Sequence, residues 1–148
     1  MRAVIQRVKN ASIRVDGTTI AQIGRGLLAL VAIAREDTRE NLIWTARKIL
    51  NTRMFDDDEG KLNLSLQDIN GELLLVSQFT LYGDCRKGRR PSYIEAAPPA
   101  EAEKLYNEFV QIVRQMKPEV KTGKFQAVME VSLINSGPVT IILDTHKS

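Results

Sequence analysis

The sequence predicts an α+β fold in which two amphipathic helices pack on a mixed β-sheet. Alternating apolar residues mark strands near both ends of the chain, and two stretches show helical spacing. The predicted elements run in the order βββ-α-β-α-ββ, which differs from a doubly wound βαβ series. No glycine-rich phosphate loop follows a predicted strand, which argues against a nucleotide-binding fold. The 148 residues, 1–148, are expected to form one domain.

The first three predicted strands lie near the amino terminus. Apolar residues alternate with polar ones in segments 3–5 and 11–15, the period of half-buried strands. Asp16-Gly17 predicts a hairpin turn, because glycine adopts a positive φ at little cost. Residues 20–23 continue the returning strand. The apolar run from Leu27 to Ala34 predicts a strand that is covered on both faces.

Two helices are predicted from apolar residues at helical spacing. The first spans roughly residues 38–51, with Asp37 as its N-cap and Glu40 completing a capping box. The second opens at Pro98-Pro99 and is closed by Pro118. Each helix carries an apolar stripe, which predicts that it packs on the sheet.

The remaining elements follow from shorter patterns. The acidic run from Asp56 to Gly60 predicts a solvated turn, with a metal-binding loop as the less favoured alternative. Leu73 to Val76 predicts a short buried strand. Strict alternation from Phe125 to Leu133 predicts another strand, and Asn135 to Pro138 predicts a turn. Val139 to Leu143 is then expected to be the returning strand.

The composition is that of an ordinary folded, soluble protein, with 43% hydrophobic and 26% charged residues. A net charge of +3 permits an anionic partner without requiring one. The single cysteine, Cys85, cannot form an internal disulfide, so a cytoplasmic location is expected. The longest apolar run is too short to span a bilayer, so no membrane partner is expected. With His146 as the one histidine, no metal cluster and no cofactor are expected.

Three places depart from what packing alone requires. Ser77-Gln78-Phe79-Thr80 puts hydroxyls and an amide where a buried strand ends, which indicates either a polar strand end or a pocket rim. Arg86 to Arg90 holds four cations in five residues, a pattern that suits phosphates as well as a solvated loop. Arg7 and Lys9 are candidates to join this basic patch. Gly137-Pro138 lies between two predicted strands, where a plain turn is the simplest interpretation.

Together these places resemble the D-aminoacyl-tRNA deacylase family. The resemblance runs nearly end to end, and its motifs are specific because they recur at matching separations. The matching segments are Met1–Val8, Gly26–Leu28, Val76–Tyr82, Arg86–Ser92 and Asn135–Thr140. The resemblance implies a three-layer β/β/α fold with a barrel-like sheet and a homodimeric assembly.

The resemblance also implies a function. Members of this family hydrolyse the ester that joins a D-amino acid to the 3′ end of tRNA, which proofreads chirality in translation. Glycyl-tRNA is expected to be cleaved as well, because a steric filter at Cα cannot reject a substrate that lacks a side chain. The alternative is a non-catalytic basic RNA-binding module, which explains the basic loop alone. A small-molecule esterase is disfavoured by the absence of a Gly-x-Ser-x-Gly elbow.

Roles for individual residues are implied by the same resemblance. Gly137 and Pro138 match the Gly-cis-Pro motif that one subunit inserts into the active site of the other, and Arg7 matches the arginine that orients it. Residues 77–80 match the catalytic pocket, with Met129 at its edge and Asn135 among the substrate-binding residues. The cations expected to bind phosphates of the tRNA acceptor stem are Arg86, Lys87, Arg89 and Arg90.

For the chemical step, we expect a water molecule to attack the ester with help from the 2′-hydroxyl of the terminal adenosine. Backbone N–H groups near Phe79 and Thr80 are expected to stabilise the oxyanion. Thr80 as a nucleophile is the alternative, although no neighbouring base is evident. The chain departs from the family at Gln126, commonly Gly, and at Ser136, commonly Asp. These departures are expected to alter the outer wall of the pocket and the charge beside the Gly-Pro motif.

Overall fold

The computed structural model describes residues 1–147 of the chain. The strands in this range are β1 (Arg2–Val15), β2 (Thr18–Ile23), β3 (Gly26–Ala32), β4 (Phe55–Asp56), β5 (Leu62–Leu64), β6 (Glu72–Ser77), β7 (Lys121–Thr122) and β8 (Glu130–Asp144). The helices are α1 (Arg39–Asn51), α2 (Pro99–Met116) and a short 3₁₀ helix (Phe79–Tyr82). Neither α-helix is long and apolar enough to cross a membrane, and no other helix within residues 1–147 is either.

Six strands form one curved sheet around β1. Along one edge, β1 pairs antiparallel with β8 over nearly its whole length. Along the other edge, residues 2–8 of β1 pair with β3 and residues 11–15 pair with β2. Strand β6 adds parallel to β3, and β7 adds parallel to β6. Because β2 also approaches β6 and β7, the sheet nearly closes on itself, which confirms the barrel-like mixed sheet.

Apolar side chains on the two faces of the sheet form two cores. Along β6, Leu73 and Leu75 belong to the core beneath α1 and α2, whereas Leu74 and Val76 belong to the core inside the barrel. Strand β3 divides its side chains in the same way. Burial on both faces explains why these two strands appear in the sequence as unbroken apolar runs. The two α-helices form one layer, and the two sides of the curved sheet, one next to the helices and one across the barrel, form the other two expected layers.

Strands β3 and β6 approach each other closely at Gly26. A Cβ atom at this position would collide with the carbonyl oxygen of Glu72, so only glycine fits here without movement of the backbone. The Glu72 N–H donates to the carbonyl oxygen of Arg25 at 3.0 Å, which begins the parallel pairing.

Both predicted helices are present, but the capping of α1 differs from the prediction. Thr38 is the N-cap, and the predicted cap at Asp37 is wrong. The Asp37 carboxylate is occupied by other partners, because it accepts hydrogen bonds from the Ala34 N–H at 2.7 Å and from the terminal ammonium of Met1. Its Oδ1 atom also lies 2.8 Å from Nε2 of His146.

The strand predicted from residue 125 begins later, at Glu130. Residues 124–127 form a turn closed by a hydrogen bond from the Ala127 N–H to the Lys124 carbonyl oxygen at 3.2 Å. Gln126 occupies the third position of this turn with φ of +61°. The apolar alternation at Phe125 and Ala127 arises because both residues face a cavity, not because they form a strand.

The turn predicted at residues 135–138 does not reverse the chain. Strand β8 is continuous from residue 130 to residue 144 and stays paired with β1 on both sides of this segment. Asn135 pairs with Val8 and Thr140 pairs with Gln6, so residues 136–139 stand opposite Arg7 alone. We call this segment the β8 bulge. The predicted pair of strands joined by a turn is therefore wrong, because both halves find the same partner strand.

Candidate active site

A cavity of about 660 Å³ opens where β3 and β6 end side by side. Its volume lies within the range of small-molecule sites. The inner wall is apolar and is drawn from elements far apart in the sequence. Residues of this inner wall are Ile33, Val76, Ala102, Phe125, Met129 and Val131.

The predicted segment 77–80 lies at the rim of this cavity. Ser77, Gln78 and Phe79 line the cavity, whereas Thr80 is exposed beside it and is not part of the lining. The Gln78 N–H donates to the carbonyl oxygen of Val31 at 2.7 Å and so continues the pairing beyond β6. The side-chain amide of Gln78 donates through Nε2 to Oγ1 of Thr80 at 2.5 Å.

The chain turns into the 3₁₀ helix directly after Gln78. In residues 1–147, the backbone N–H groups of Phe79 and Thr80 donate to no acceptor, because the helix provides its first internal bond only further along. The Phe79 ring is 54% exposed and meets the ring of Tyr93 in a T-shaped contact at 5.1 Å between centroids. Two aromatic rings therefore stand at the mouth of the cavity next to two free N–H donors.

The basic loop (residues 86–90) follows the 3₁₀ helix. Asp84 and Ser92 close it through reciprocal backbone hydrogen bonds of 2.8 and 2.9 Å. Arg86 folds back onto Asp84 with bonds of 2.9 and 2.7 Å, and these bonds hold the pKa of the Asp84 carboxyl at about 2. The other three cations, Lys87, Arg89 and Arg90, are exposed.

The β8 bulge carries Gly137 and Pro138, which are joined by a cis peptide bond and are both exposed. Arg7 supports the bulge from β1, because its Nε donates to the carbonyl oxygen of Ser136 at 2.8 Å. Its Nη1 donates to the carbonyl oxygen of Met54 at 3.0 Å. The guanidinium is thus fixed between the bulge and the segment after α1.

Asn135 closes the base of the β8 bulge. Its Oδ1 accepts a hydrogen bond from the Val139 N–H at 2.9 Å, and its Nδ2 donates to Oγ1 of Thr140 at 3.0 Å. The side chain therefore spans the two ends of the bulge. Its amide contacts the bulge and does not line the cavity.

The β8 bulge and the cavity lie at opposite ends of β3. Arg7, which supports the bulge, pairs with Leu27 at the start of β3, whereas Ser77 pairs with Val31 four residues further along. Four residues of a strand span roughly 13 Å. Gly137 and Pro138 accordingly do not line the cavity of their own chain, and Met129 is the single predicted substrate-binding residue that does.

A family model described as D-Tyr-tRNA(Tyr) deacylase matches residues 4–144. The chain belongs to this family. A D-aminoacyl-tRNA deacylase of Thermosipho africanus is 60% identical over 147 residues, which are 99% of each chain. A D-aminoacyl-tRNA deacylase of Clostridium acetobutylicum is 55% identical, again with 99% of each chain covered. The expected enzyme class, an ester hydrolase of the D-aminoacyl-tRNA deacylase type, is confirmed.

The fold also resembles that of solved structures. The c-Myc DNA unwinding element binding protein superimposes with a TM-score of 0.94 at 45% identity, covering 98% of this chain and 99% of its own. A probable eukaryotic D-amino acid tRNA deacylase gives a TM-score of 0.84 at 18% identity, covering 96% of this chain and 97% of its own. The second likeness shows the fold alone.

Sequence reasoning missed part of the cavity. Tyr93, Arg35 and the segment 96–99 all line it, but none belongs to a motif. Arg35 is held there because its Nε donates to the carbonyl oxygen of Ile94 at 2.6 Å. The one available signal was an aromatic residue shortly after the basic loop, and that pattern is too common to indicate a site.

Proposed function

We propose that this chain, as one deacylase domain, hydrolyses the ester of D-aminoacyl-tRNA to free tRNA and a D-amino acid, and that it also cleaves glycyl-tRNA. The observation that carries the proposal is the apolar cavity whose rim is formed by Ser77, Gln78 and Phe79 in a chain of this family. The apolar wall, which includes Met129, suits amino-acid side chains of varied shape. Because its substrate is charged tRNA, the enzyme acts in the cytoplasm.

In this proposal, chirality is read by the backbone of the β8 bulge. An enzyme that accepts many D-side chains and rejects every L-side chain must sense the substituents at Cα. A side chain can rotate away from a clash, whereas rotation about a peptide bond meets a barrier of ~18–20 kcal/mol. The exposed Gly137-Pro138 segment offers such a rigid wall. It acts as the proofreading element that keeps D-residues out of translation.

The bulge serves the cavity of a second protomer in a homodimer. The separation of roughly 13 Å along β3 supports this arrangement, because the segment cannot reach the cavity of its own chain without unpairing β8. Arg7 and Asn135 act as positioning residues, since they fix the carbonyl oxygen of Ser136 and the base of the bulge. Both can thereby influence substrate binding without touching the substrate.

The chemical step is attack by water on the ester carbonyl carbon. The new C–O bond forms first and leaves a tetrahedral oxyanion; the bond to the 3′-oxygen then breaks, and the proton released by water reaches that oxygen by way of the neighbouring 2′-hydroxyl. The free N–H groups of Phe79 and Thr80 are suited to stabilise the oxyanion that develops in between. This route needs no side-chain base at the rim.

Thr80 is less suited to act as a nucleophile. A hydroxyl must lose its proton to a neighbouring base before it attacks. The partner of its Oγ1 is the side-chain amide of Gln78, which donates a hydrogen bond and cannot take up a proton. The role assigned to Gln78 and Thr80 is therefore to shape the rim and to hold the first turn of the 3₁₀ helix.

The tRNA is bound beside the cavity. The exposed cations of the basic loop suit phosphates of the acceptor stem. The exposed rings of Phe79 and Tyr93 suit the unpaired 3′ end, because bases of single-stranded RNA commonly stack on aromatic side chains. Arg86 contributes less than its neighbours, since it is paired with Asp84.

The proposal is tested by the release of labelled amino acid from D-tyrosyl-, L-tyrosyl- and glycyl-tRNA. We expect the purified protein to release D-tyrosine and glycine and to leave L-tyrosyl-tRNA intact. Each tenfold of discrimination corresponds to about 1.4 kcal/mol of steric cost. A protein that shifts tRNA on a gel but releases neither amino acid would instead be a non-catalytic RNA-binding module, and an intact glycyl-tRNA would exclude a purely steric filter.

Substitution of Thr80 separates the two chemical routes. We expect Thr80→Ala to keep kcat/KM within about tenfold of the wild-type value, because water and not the Thr80 hydroxyl attacks the ester. Removal of a true nucleophile would instead typically cost ~10⁴-fold or more. A substrate that ends in 2′-deoxyadenosine should be hydrolysed roughly 100-fold more slowly by both proteins, the usual size of a lost proton-transfer contribution. Both rates are measured in single turnover. Abolished turnover in Thr80→Ala, with tRNA still bound, would restore the nucleophile route.

Mixed dimers test whether the bulge acts on the partner. One protomer carries Gly137→Ala with Pro138→Ala, and the other carries Ala127→Trp, which fills the cavity. The two protomers carry different affinity tags, so that the mixed dimer can be isolated. We expect it to regain D-selective hydrolysis at about half the wild-type rate, since one intact cavity then meets one intact bulge.

The matched controls for this experiment are the two homodimers. The Ala127→Trp homodimer should be inactive, and the double-alanine homodimer should lose its selectivity for D-tyrosine. If the mixed dimer behaves like the double-alanine homodimer, each bulge serves its own chain and the proposed arrangement is wrong. Circular dichroism of every variant establishes that the fold is retained.

The basic loop is tested by the salt dependence of tRNA binding. We expect Arg90→Ala to weaken binding and to lower the slope of log K against log salt concentration by about one, the change for one lost phosphate contact. The control is Lys61→Ala, which removes another exposed positive charge, from the β4–β5 turn. Equal slopes for Arg90→Ala and the wild type would exclude this loop from the tRNA contact.

A further inference from the structure

Gln126 adopts a backbone conformation that ordinarily belongs to glycine. It occupies the third position of the turn at residues 124–127, where the Ala127 N–H bonds to the Lys124 carbonyl oxygen. Its φ of +61° lies in the left-handed region. A residue with a Cβ atom adopts this region at an energetic cost, and a turn of this kind favours glycine or asparagine at its third position. The glutamine side chain is therefore present against the local preference of the backbone.

The same residue lines the cavity that we assign to the substrate. Gln126 is exposed at the mouth, on a rim that also holds Phe79 and Tyr93. The inner wall is apolar, so the polar amide stands where the cavity meets solvent. Unfavourable backbone geometry in a binding site commonly indicates that the side chain has a role in that site.

We propose that the carboxamide of Gln126 recognises the terminal adenine of the tRNA. This inference rests on the proposed function, because it places an aminoacyl-adenosine end in the cavity. The apolar interior takes the amino-acid side chain, which leaves the adenosine at the mouth. There a carboxamide can accept a hydrogen bond from N6 of adenine through its oxygen and donate one to N7 through its nitrogen.

This geometry selects for the base and not for charge. The amide is neutral, so it does not attract phosphates, and its two groups match the donor and acceptor of the adenine edge. The exposed rings of Phe79 and Tyr93 can cover the face of the base while Gln126 reads its edge. The contact thus positions the ester next to the backbone N–H groups of Phe79 and Thr80, which stabilise the oxyanion.

The test replaces Gln126 and alters the substrate in parallel. We expect Gln126→Gly to raise KM for D-tyrosyl-tRNA roughly tenfold, within the range for one bidentate amide–adenine pair. Its kcat should change by less than about twofold, because the interaction contributes to positioning and not to the chemical step. The thermal midpoint should rise at the same time, since glycine relieves the left-handed turn.

A tRNA that ends in purine riboside, which lacks the N6 amine, completes the experiment. The wild type should lose part of that factor on this substrate, because the bond from N6 is lost while the bond to N7 remains, whereas Gln126→Gly should show no further loss. Gln126→Asn, which tolerates the turn and keeps a carboxamide, should recover part of the discrimination. The matched control is Asn70→Gly at another left-handed position, with φ of +50°, which should leave KM unchanged.

Two results would overturn the inference. The first is an unchanged KM in Gln126→Gly together with the higher thermal midpoint, which would make the side chain irrelevant to binding. The second is a Gln126→Gly enzyme that still distinguishes adenosine from purine riboside by the wild-type factor. In both cases the wild type still hydrolyses D-tyrosyl-tRNA, so the proposed function survives. Failure of the wild type to hydrolyse it would overturn both.

Discussion

The parallel pairing of β3 with β6 determines where everything else lies. It depends on Gly26, which lets the Glu72 backbone approach β3 more closely than any side chain would allow. Parallel strands end at the same edge of a sheet, so Ile33 and Ser77 reach the same cavity from two distant parts of the chain. The start of β3 lies at the opposite edge of the sheet, beside Arg7, which supports the bulge. Cavity and bulge are therefore separated by roughly 13 Å along this buried strand.

Much of this fold could be predicted because its strongest signals are local. Apolar runs gave the strands that are buried on both faces, and helical spacing gave both helices to within a few residues. The errors arose where the outcome depends on a distant partner. Asn135 to Pro138 has the composition of a turn in either case, and only the pairing of Thr140 onwards with β1 makes it a bulge. Asp37 likewise suits an N-cap until the chain terminus occupies it.

Cavity-lining residues could be predicted from the sequence only where they belong to a recognisable motif. Ser77 to Phe79 were recognised as a unit and do line the cavity, but Thr80 stands just outside the lining. Tyr93 and Arg35 lie in segments with no pattern of their own, and tertiary packing alone brings them to the mouth. Glutamine itself gives no sign of the positive φ at residue 126; the one indication is the glycine that the resembled family commonly has there.

Strand β8 carries a wall of the cavity at Val131 and the bulge only a few residues later. An insertion of one residue between Val131 and Asn135 would exchange inward-facing with outward-facing side chains and displace the bulge from Arg7. The spacing within this strand is therefore as constrained as the identity of its residues. The basic loop is different, since the hydrogen bonds between Asp84 and Ser92 close it and it lies outside the paired strands. A residue added to or removed from that loop would therefore leave the register of the sheet strands unchanged, although it would shift the cations proposed to bind the tRNA.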